Sequence, residues 1–120
     1  MSIHNPIPKF VTYLVEPVSQ LTAKVTIGDA QSGGWAIGFD DTHVKKGSGE
    51  DPVPVGSGRD VKGKLLQIVV TVVDVRPETN HLSCTVTIAG GPSGPVEVEQ
   101  AYDEGGDGDT AIFTTLVQFQ

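Results

Sequence analysis

The carboxylates with the most suggestive spacing lie in one acidic stretch, residues 103–109, which reads Asp-Glu-Gly-Gly-Asp-Gly-Asp. Calcium binds six to eight hard oxygen ligands, and alternate carboxylates on a glycine-bent loop supply several of them. The stretch departs from the helix–loop–helix calcium pattern, because Gly105 and Thr114 stand where that pattern needs a polar ligand and a bidentate Glu. Short acidic runs are usually solvated. We therefore predict a solvated hairpin tip, with calcium binding as the alternative; the ligands would be Asp103, Glu104, Asp107 and Asp109.

A second candidate site combines an aromatic ring with two carboxylates. Trp35 shares a strand face with Ile37 and Phe39, and an exposed indole there would stack on a sugar ring, although the single Trp of a small β domain is more often core. Residues 40–62 are rich in Gly, Pro, Ser and Asp, and a structureless loop of that length is unusual unless it holds an edge strand or has a function. The candidate contacts for a carbohydrate or peptide are Trp35, Asp40 and Asp41.

The remaining reactive residues form no catalytic constellation. Glu97 and Glu99 share a strand face about 7 Å apart, which suits inverting glycoside hydrolysis but is far more often a solvent face with two charges. Cys84 lies on an apolar strand face, where a thiol is inert. The three histidines are scattered, and the glycine-rich loop at 58–65 ends in Leu65 where a phosphate loop needs a hydroxyl. We predict a protein that is not an enzyme and that holds no cofactor beyond the calcium alternative.

The elements that must position these residues are strands. Apolar and polar residues alternate over 21–27, 35–39, 82–88 and 110–120, as in strands with one buried face, whereas helical spacing is nearly absent. Turn residues separate the alternating stretches at regular intervals, and the chain has 15 Gly and 8 Pro. These patterns predict an all-β domain, an antiparallel β-sandwich of the immunoglobulin-like or jelly-roll kind with about seven or eight strands.

The sequence also suggests how the strands pair. We expect 21–27 to form a hairpin with 35–39, and 65–75 to form another with 82–88, because a turn separates each pair. Val53-Pro54-Val55 fits an edge strand, since proline lacks the N–H that an inner strand must donate.

The strand at 65–75 is apolar on both faces. Leu66, Ile68, Val70 and Val72 define one face, and Leu65, Val69, Val73 and Val75 define the other. One face of a sandwich strand normally meets solvent, so the second apolar face needs a cover. The preceding loop, the N-terminal arm or another subunit could supply it.

The charge and composition of the chain limit the classes of binding partner and the cellular locations that we expect. The net charge of −7 arises wholly from residues 77–120, which contain seven acidic side chains and no Lys or Arg. This argues against nucleic-acid binding, which needs clustered cations. The longest apolar-rich run is about 11 residues, too short for a membrane-spanning helix. The first residues lack the basic start and apolar run of a signal peptide, which together with the single cysteine favours a cytoplasmic location.

These observations lead to one domain and three functional hypotheses, of which an enzyme built on Glu97 and Glu99 is the first to be abandoned. We expect an extended N-terminal arm over residues 1–8 and a single β-sandwich domain over 9–120. The leading hypothesis is a non-catalytic interaction or assembly module that forms a homo-oligomer. The alternative is a β-sandwich that binds a carbohydrate or peptide, with calcium assisting through the acidic stretch at 103–109.

Overall fold

The structure is a computed structural model, and it describes residues 2–28, 31–40, 42–75, 81–103 and 108–120. The described residues form ten strands and one four-residue helix. The elements are β1 (Ile3–His4), β2 (Lys9–Tyr13), β3 (Gln20–Ile27), β4 (Ser32–Phe39), β5 (Thr42–Gly47), β6 (Val53–Ser57), α1 (Gly58–Val61), β7 (Leu65–Val73), β8 (Leu82–Ala89), β9 (Val96–Tyr102) and β10 (Thr110–Phe119). The predicted all-β class is confirmed.

The strands form two sheets that pack face to face. The first sheet has the order β1-β10-β7-β4-β5, with β2 also paired to β10, and the second has the order β6-β3-β8-β9. Neighbouring strands are antiparallel except β1 and β2, which both run parallel to β10. The strand β7 therefore lies in the middle of the first sheet, between β10 and β4.

The core lies between the two sheets and comes from the inward residues of each alternating stretch. In β7 the face formed by Leu66, Ile68, Val70 and Val72 is fully buried, which fixes the inward side of the central strand. The alternation predicted for β3, β8 and β10 places their apolar residues inward in the same way. These core residues include Leu21, Ala23, Val25, Leu82, Cys84, Val86, Ile88, Ala111, Phe113, Val117 and Phe119.

The two predicted hairpins are wrong. β3 pairs with β6 and β8, and β4 pairs with β5 and β7, so β3 and β4 lie in different sheets. β7 and β8 likewise lie in opposite sheets. Alternation shows which face of a strand is buried but not which strand lies beside it, and a short connection can cross from one sheet to the other as readily as it turns back.

The stretch at 40–62 is mostly ordered secondary structure. It supplies β5 at one edge of the first sheet and β6 at one edge of the second, so the edge strand predicted at Val53-Pro54-Val55 is confirmed. The helix α1 follows β6 at once, with the Ser57 side chain accepting a hydrogen bond from the Asp60 N–H at 3.3 Å.

The N-terminal arm lies along the edge of the first sheet. β1 pairs with β10 at residues 110–111 and β2 pairs with it at 115–119, so residues 5–8, which include Pro6 and Pro8, bridge a gap in the pairing. In that gap Gln100 of the second sheet donates its amide to the Thr114 carbonyl and the Thr115 hydroxyl, both at 3.0 Å. A side chain from the opposite sheet thus satisfies the acceptor that the arm leaves open.

Candidate functional site

Two of the four candidate calcium ligands have protein partners. The Asp103 carboxylate is hydrogen-bonded to Nδ1 of His81, and both side chains are solvent-accessible. Asp109 is only 7% exposed. Glu104 and Asp107 lie outside the described residues. Within the part of the chain that the structure describes, no three His, Cys, Asp or Glu side chains are grouped so as to hold a metal ion.

The buried Asp109 anchors the N-terminal arm. Its carboxylate accepts a hydrogen bond from the Ser2 N–H at 2.7 Å and contacts Nε2 of His4 at 2.8 Å. The His4 ring stacks on Tyr102, with 4.4 Å between the ring centroids. Because an acid buried this deeply needs partners, these contacts give Asp109 a structural role in holding β1 against β10.

A second buried polar pair lies near the connection that follows β7. The Gln31 amide donates to the Asp74 carboxylate at 3.3 Å and to the His81 carbonyl at 3.4 Å, and its carbonyl accepts from the Val75 N–H at 2.8 Å. Gln31 and Asp74 are 8% and 5% exposed. These buried hydrogen bonds hold Gln31, Asp74 and Val75 together at this end of the domain.

The candidate carbohydrate contacts are dispersed. Trp35 is 7% exposed and belongs to the core, and its indole N–H donates to the Gly49 carbonyl at 2.9 Å. This placement does not offer the ring as an exposed stacking platform, because its apolar surface is used for packing. Asp40 is exposed at the end of β4, and Asp41 lies outside the described residues.

The other reactive residues fall into two environments. Cys84 is buried, and loss of hydration raises the pKa of its thiol to about 12, so the thiolate is scarce at neutral pH. Glu97 and Glu99 are exposed on the outward face of β9. Both carboxylates are therefore solvated.

The outward face of the second sheet contains one polar depression of about 430 Å³. Its lining includes His81, Ser83, Thr85, Glu99 and Ala101. Sequence reasoning missed the His81–Asp103 pair beside it, because the two residues are 22 positions apart. The pairing register of β8 and β9 would have revealed this pair. Leu82 pairs with Tyr102, so residues 81 and 103 lie at the same end of the hairpin.

The outward face of the first sheet differs from the rest of this acidic protein. No strand of that sheet contains an Asp or Glu within its described residues, whereas β9 of the second sheet contains two. We call the outward residues of β10, β7 and β4 the uncharged face. They are Thr110, Ile112, Thr114, Leu116, Gln118, Leu65, Gln67, Val69, Thr71, Val73, Ser32, Gly34, Ala36 and Gly38.

The predicted second apolar side of β7 lies on this face. Leu65, Val69 and Val73 are each half-buried, and Val75, just beyond the strand, is 53% exposed. Phe10 of β2 pairs with Leu116 and is 58% exposed, so it extends the apolar surface toward the sheet edge.

A groove follows β4 across the uncharged face. Its floor consists of small residues, Gly34, Ala36 and Gly38, with β7 on one side and β5 on the other. Two adjoining depressions of about 440 and 320 Å³ mark it, and both are lined by Ala36 and Val69. Lys46 and His43 of β5 lie along the outer rim, and Asp40 lies at one end. The arrangement can receive apolar side chains from a partner.

Comparison of the chain with protein-family models, with curated proteins and with solved structures finds no match. Among the described residues, no helix is both long and apolar enough to cross a membrane. The functional argument therefore depends on the surfaces themselves.

Proposed function

We propose that this protein is a non-catalytic assembly module that associates with itself through the uncharged face. The observation that carries the proposal is the outward side of β7, where Leu65, Val69 and Val73 are apolar. It lies in a sheet whose described strands contain no carboxylate, on a protein of net charge −7. Two copies can approach through this face without like-charge repulsion. Copies that approached through the exposed Glu97 and Glu99 of β9 would bring like charges together.

Neither the N-terminal arm nor the segment before β7 is positioned to cover the outward side of β7, which favours another subunit as its cover. The N-terminal arm extends the first sheet at its edge by pairing with β10. The segment before β7 forms β5 at one edge of the first sheet, β6 at one edge of the second sheet, and the short helix α1. Fully burying one valine side chain is worth about 1.5–3 kcal/mol, so the half-buried Val69 and Val73 gain further stabilisation from a partner.

The size of the first sheet suits a stable dimer. A face-to-face dimer covers the uncharged face together with the flanking strands β5, β1 and β2. The described strands of this sheet contain 40 residues, and each covers about 4.8 Å by 3.4 Å, so the outer side measures about 650 Å². Two copies would bury about 1,300 Å² in total, within the roughly 1,200–2,000 Å² of a stable interface.

The proposal includes an antiparallel β-sandwich as the scaffold, of the immunoglobulin-like or jelly-roll kind. Along its described strands the chain crosses between the sheets six times, at β2–β3, β3–β4, β5–β6, β6–β7, β7–β8 and β9–β10. Such crossings are typical of the Greek-key connections in these sandwiches. In this scaffold the uncharged face is the outer side of one layer, where it is accessible to a second copy.

A second candidate function is the binding of a carbohydrate or peptide at the polar depression on the second sheet. The observation that favours it is the convergence of the His81 ring, two hydroxyls and the Glu99 carboxylate around about 430 Å³. A few polar groups around a concave surface can orient a small ligand. Calcium bound by the 103–109 stretch would assist at the neighbouring end of β9.

Sedimentation of the wild type over a wide concentration range tests the assembly proposal. We expect a dimer, and we expect Val69→Asp or Val73→Asp to give a folded monomer because a carboxylate in an apolar interface is costly. The matched control is Thr26→Asp, which adds the same charge to a half-buried outward position of the second sheet and leaves the dimer intact. A wild type that stays monomeric at high concentration contradicts the proposal.

A further inference from the structure

The uncharged face is built from rows that are large at one end and small at the other. Register places Ile112, Thr71 and Gly34 side by side in one row, and Leu116, Gln67 and Gly38 side by side in another. The row between them consists of Thr114, Val69 and Ala36. In every row the larger of the two outer residues lies on β10, and the smaller lies on β4.

This asymmetry gives the face a ridge and a groove on either side of one strand. β10 bears the ridge, β4 bears the groove, and β7 lies between them. Both β10 and β4 are antiparallel to β7, so they run in the same direction. A rotation of 180° about an axis along β7 therefore exchanges the positions of ridge and groove and keeps the strand direction.

We propose that two copies pair face to face about a twofold axis that runs along β7, so that the β10 ridge of each copy fills the β4 groove of the other. This inference rests on the proposed self-association and specifies its geometry. Leu116 of one copy then meets Gly38 of the other, Ile112 meets Gly34, and Thr114 meets Ala36. Val69 meets its own counterpart near the axis. Each contact occurs twice, as a twofold interface requires.

The other face-to-face twofold arrangement fits the surface less well. An axis across the strands would set β10 over β10 and β4 over β4. The ridges would collide while the two glycine-lined grooves faced each other and left a void. Interfaces pack as densely as protein interiors, so a large residue opposite a small one is favoured. The natural twist of sheets tilts packed strands by about 30°, and the central row of Thr114, Val69 and Ala36 is displaced least by such a tilt because it lies nearest the centre of the face.

The groove is also fixed within the single chain. A Cβ atom at Gly38 would lie 2.9 Å from the Thr42 carbonyl oxygen, and one at Gly34 would lie 3.0 Å from the Gly47 carbonyl oxygen. Contact with the β5 backbone therefore keeps both positions small before any partner binds. For the same reason the test leaves both glycines unchanged and uses the central row, Ala36 with Thr114.

The experiment is a rescue measured by the dissociation constant of the dimer. We expect Ala36→Leu to raise that constant by at least about tenfold, because the added side chain overpacks against Thr114 of the other copy. We expect the double variant Ala36→Leu with Thr114→Ala to return to within about threefold of the wild type. The matched control is Ala36→Leu with Thr110→Ala, the same truncation on the same strand two rows away, which should leave the dimer weak.

The outcomes separate the geometry from the proposed function. A dimeric wild type in which Thr114→Ala fails to rescue, or in which Thr110→Ala rescues equally, overturns the twofold axis along β7 but leaves self-association standing. An Ala36→Leu variant that dimerises as tightly as the wild type also overturns the geometry. A monomeric wild type overturns the proposed function itself. Cooperative thermal unfolding verifies that each variant is folded, and Ala36→Val replaces Ala36→Leu if the larger side chain prevents folding.

Discussion

Gln100 should be among the most sensitive polar residues of the protein. Its side chain is 6% exposed, and it donates to the Thr114 carbonyl and the Thr115 hydroxyl across the gap between β1 and β2. Replacement by methionine keeps the length of the side chain but removes the donor. The Thr114 carbonyl then lacks its partner from the second sheet, and the nearly inaccessible Thr115 hydroxyl loses one of its hydrogen bonds.

The expected loss follows from the cost of unsatisfied buried groups. Each such group costs about 1–3 kcal/mol, and the hydroxyl recovers part of its share by rotating, so Gln100→Met should lower the free energy of unfolding by about 2–4 kcal/mol. Urea denaturation measures this as a lower midpoint at an unchanged slope.

Gln118 provides the matched control. Its amide also donates to a backbone carbonyl, that of Lys64 at 3.2 Å, but this hydrogen bond is exposed to solvent. Water can replace it in the monomer. At a protein concentration below the dissociation constant of the proposed dimer, Gln118→Met should therefore cost less than about 0.5 kcal/mol, as most surface substitutions do. If Gln100→Met is as mild as Gln118→Met, the argument that Gln100 closes the gap in the pairing of β10 is refuted.

Two further predictions concern the remaining reactive groups. Cys84 should react slowly with a thiol reagent in the native protein and rapidly in denaturant, because it is buried and its pKa is raised to about 12; fast native labelling would contradict its position in the core. Millimolar calcium should move the melting temperature by less than about 2 °C, since a ligand at a hundred times its dissociation constant adds about 2.7 kcal/mol, worth several degrees here. A chelator-reversible rise of about 5 °C or more would instead support a calcium site at 103–109.

The sequence predicted the faces of the strands better than their neighbours. The buried faces of β3, β7, β8 and β10 follow directly from two-residue alternation, since a strand with one apolar side must turn that side toward the core. The partners of β3 and β4 were mispredicted because pairing depends on whether a connection turns back or crosses to the other sheet. That choice is made by contacts distant in sequence, and a local pattern does not contain them.

The candidate sites show the same division between local and distant information. The apolar outward row of β7 was evident from Leu65, Val69 and Val73 alone. The role of Asp109 was not, because the groups that hold it, the Ser2 backbone N–H and the His4 ring, lie more than a hundred positions away. An acidic stretch looks like a solvated tip until the fold shows that one of its carboxylates is buried against the N-terminal arm.

The small outward residues of β4 connect the amino-acid sequence with the proposed dimer. Taken alone, Gly34, Ala36 and Gly38 weaken a strand, because glycine loses more backbone entropy on folding and offers no side chain to pack. Part of the reason for two glycines in this strand is the β5 backbone, which lies too close to Gly34 and Gly38 for a larger residue. The register then sets these small residues in the same rows as the larger residues of β10. A strand that is poor by intrinsic propensity thus provides the groove that a second copy of the chain can fill.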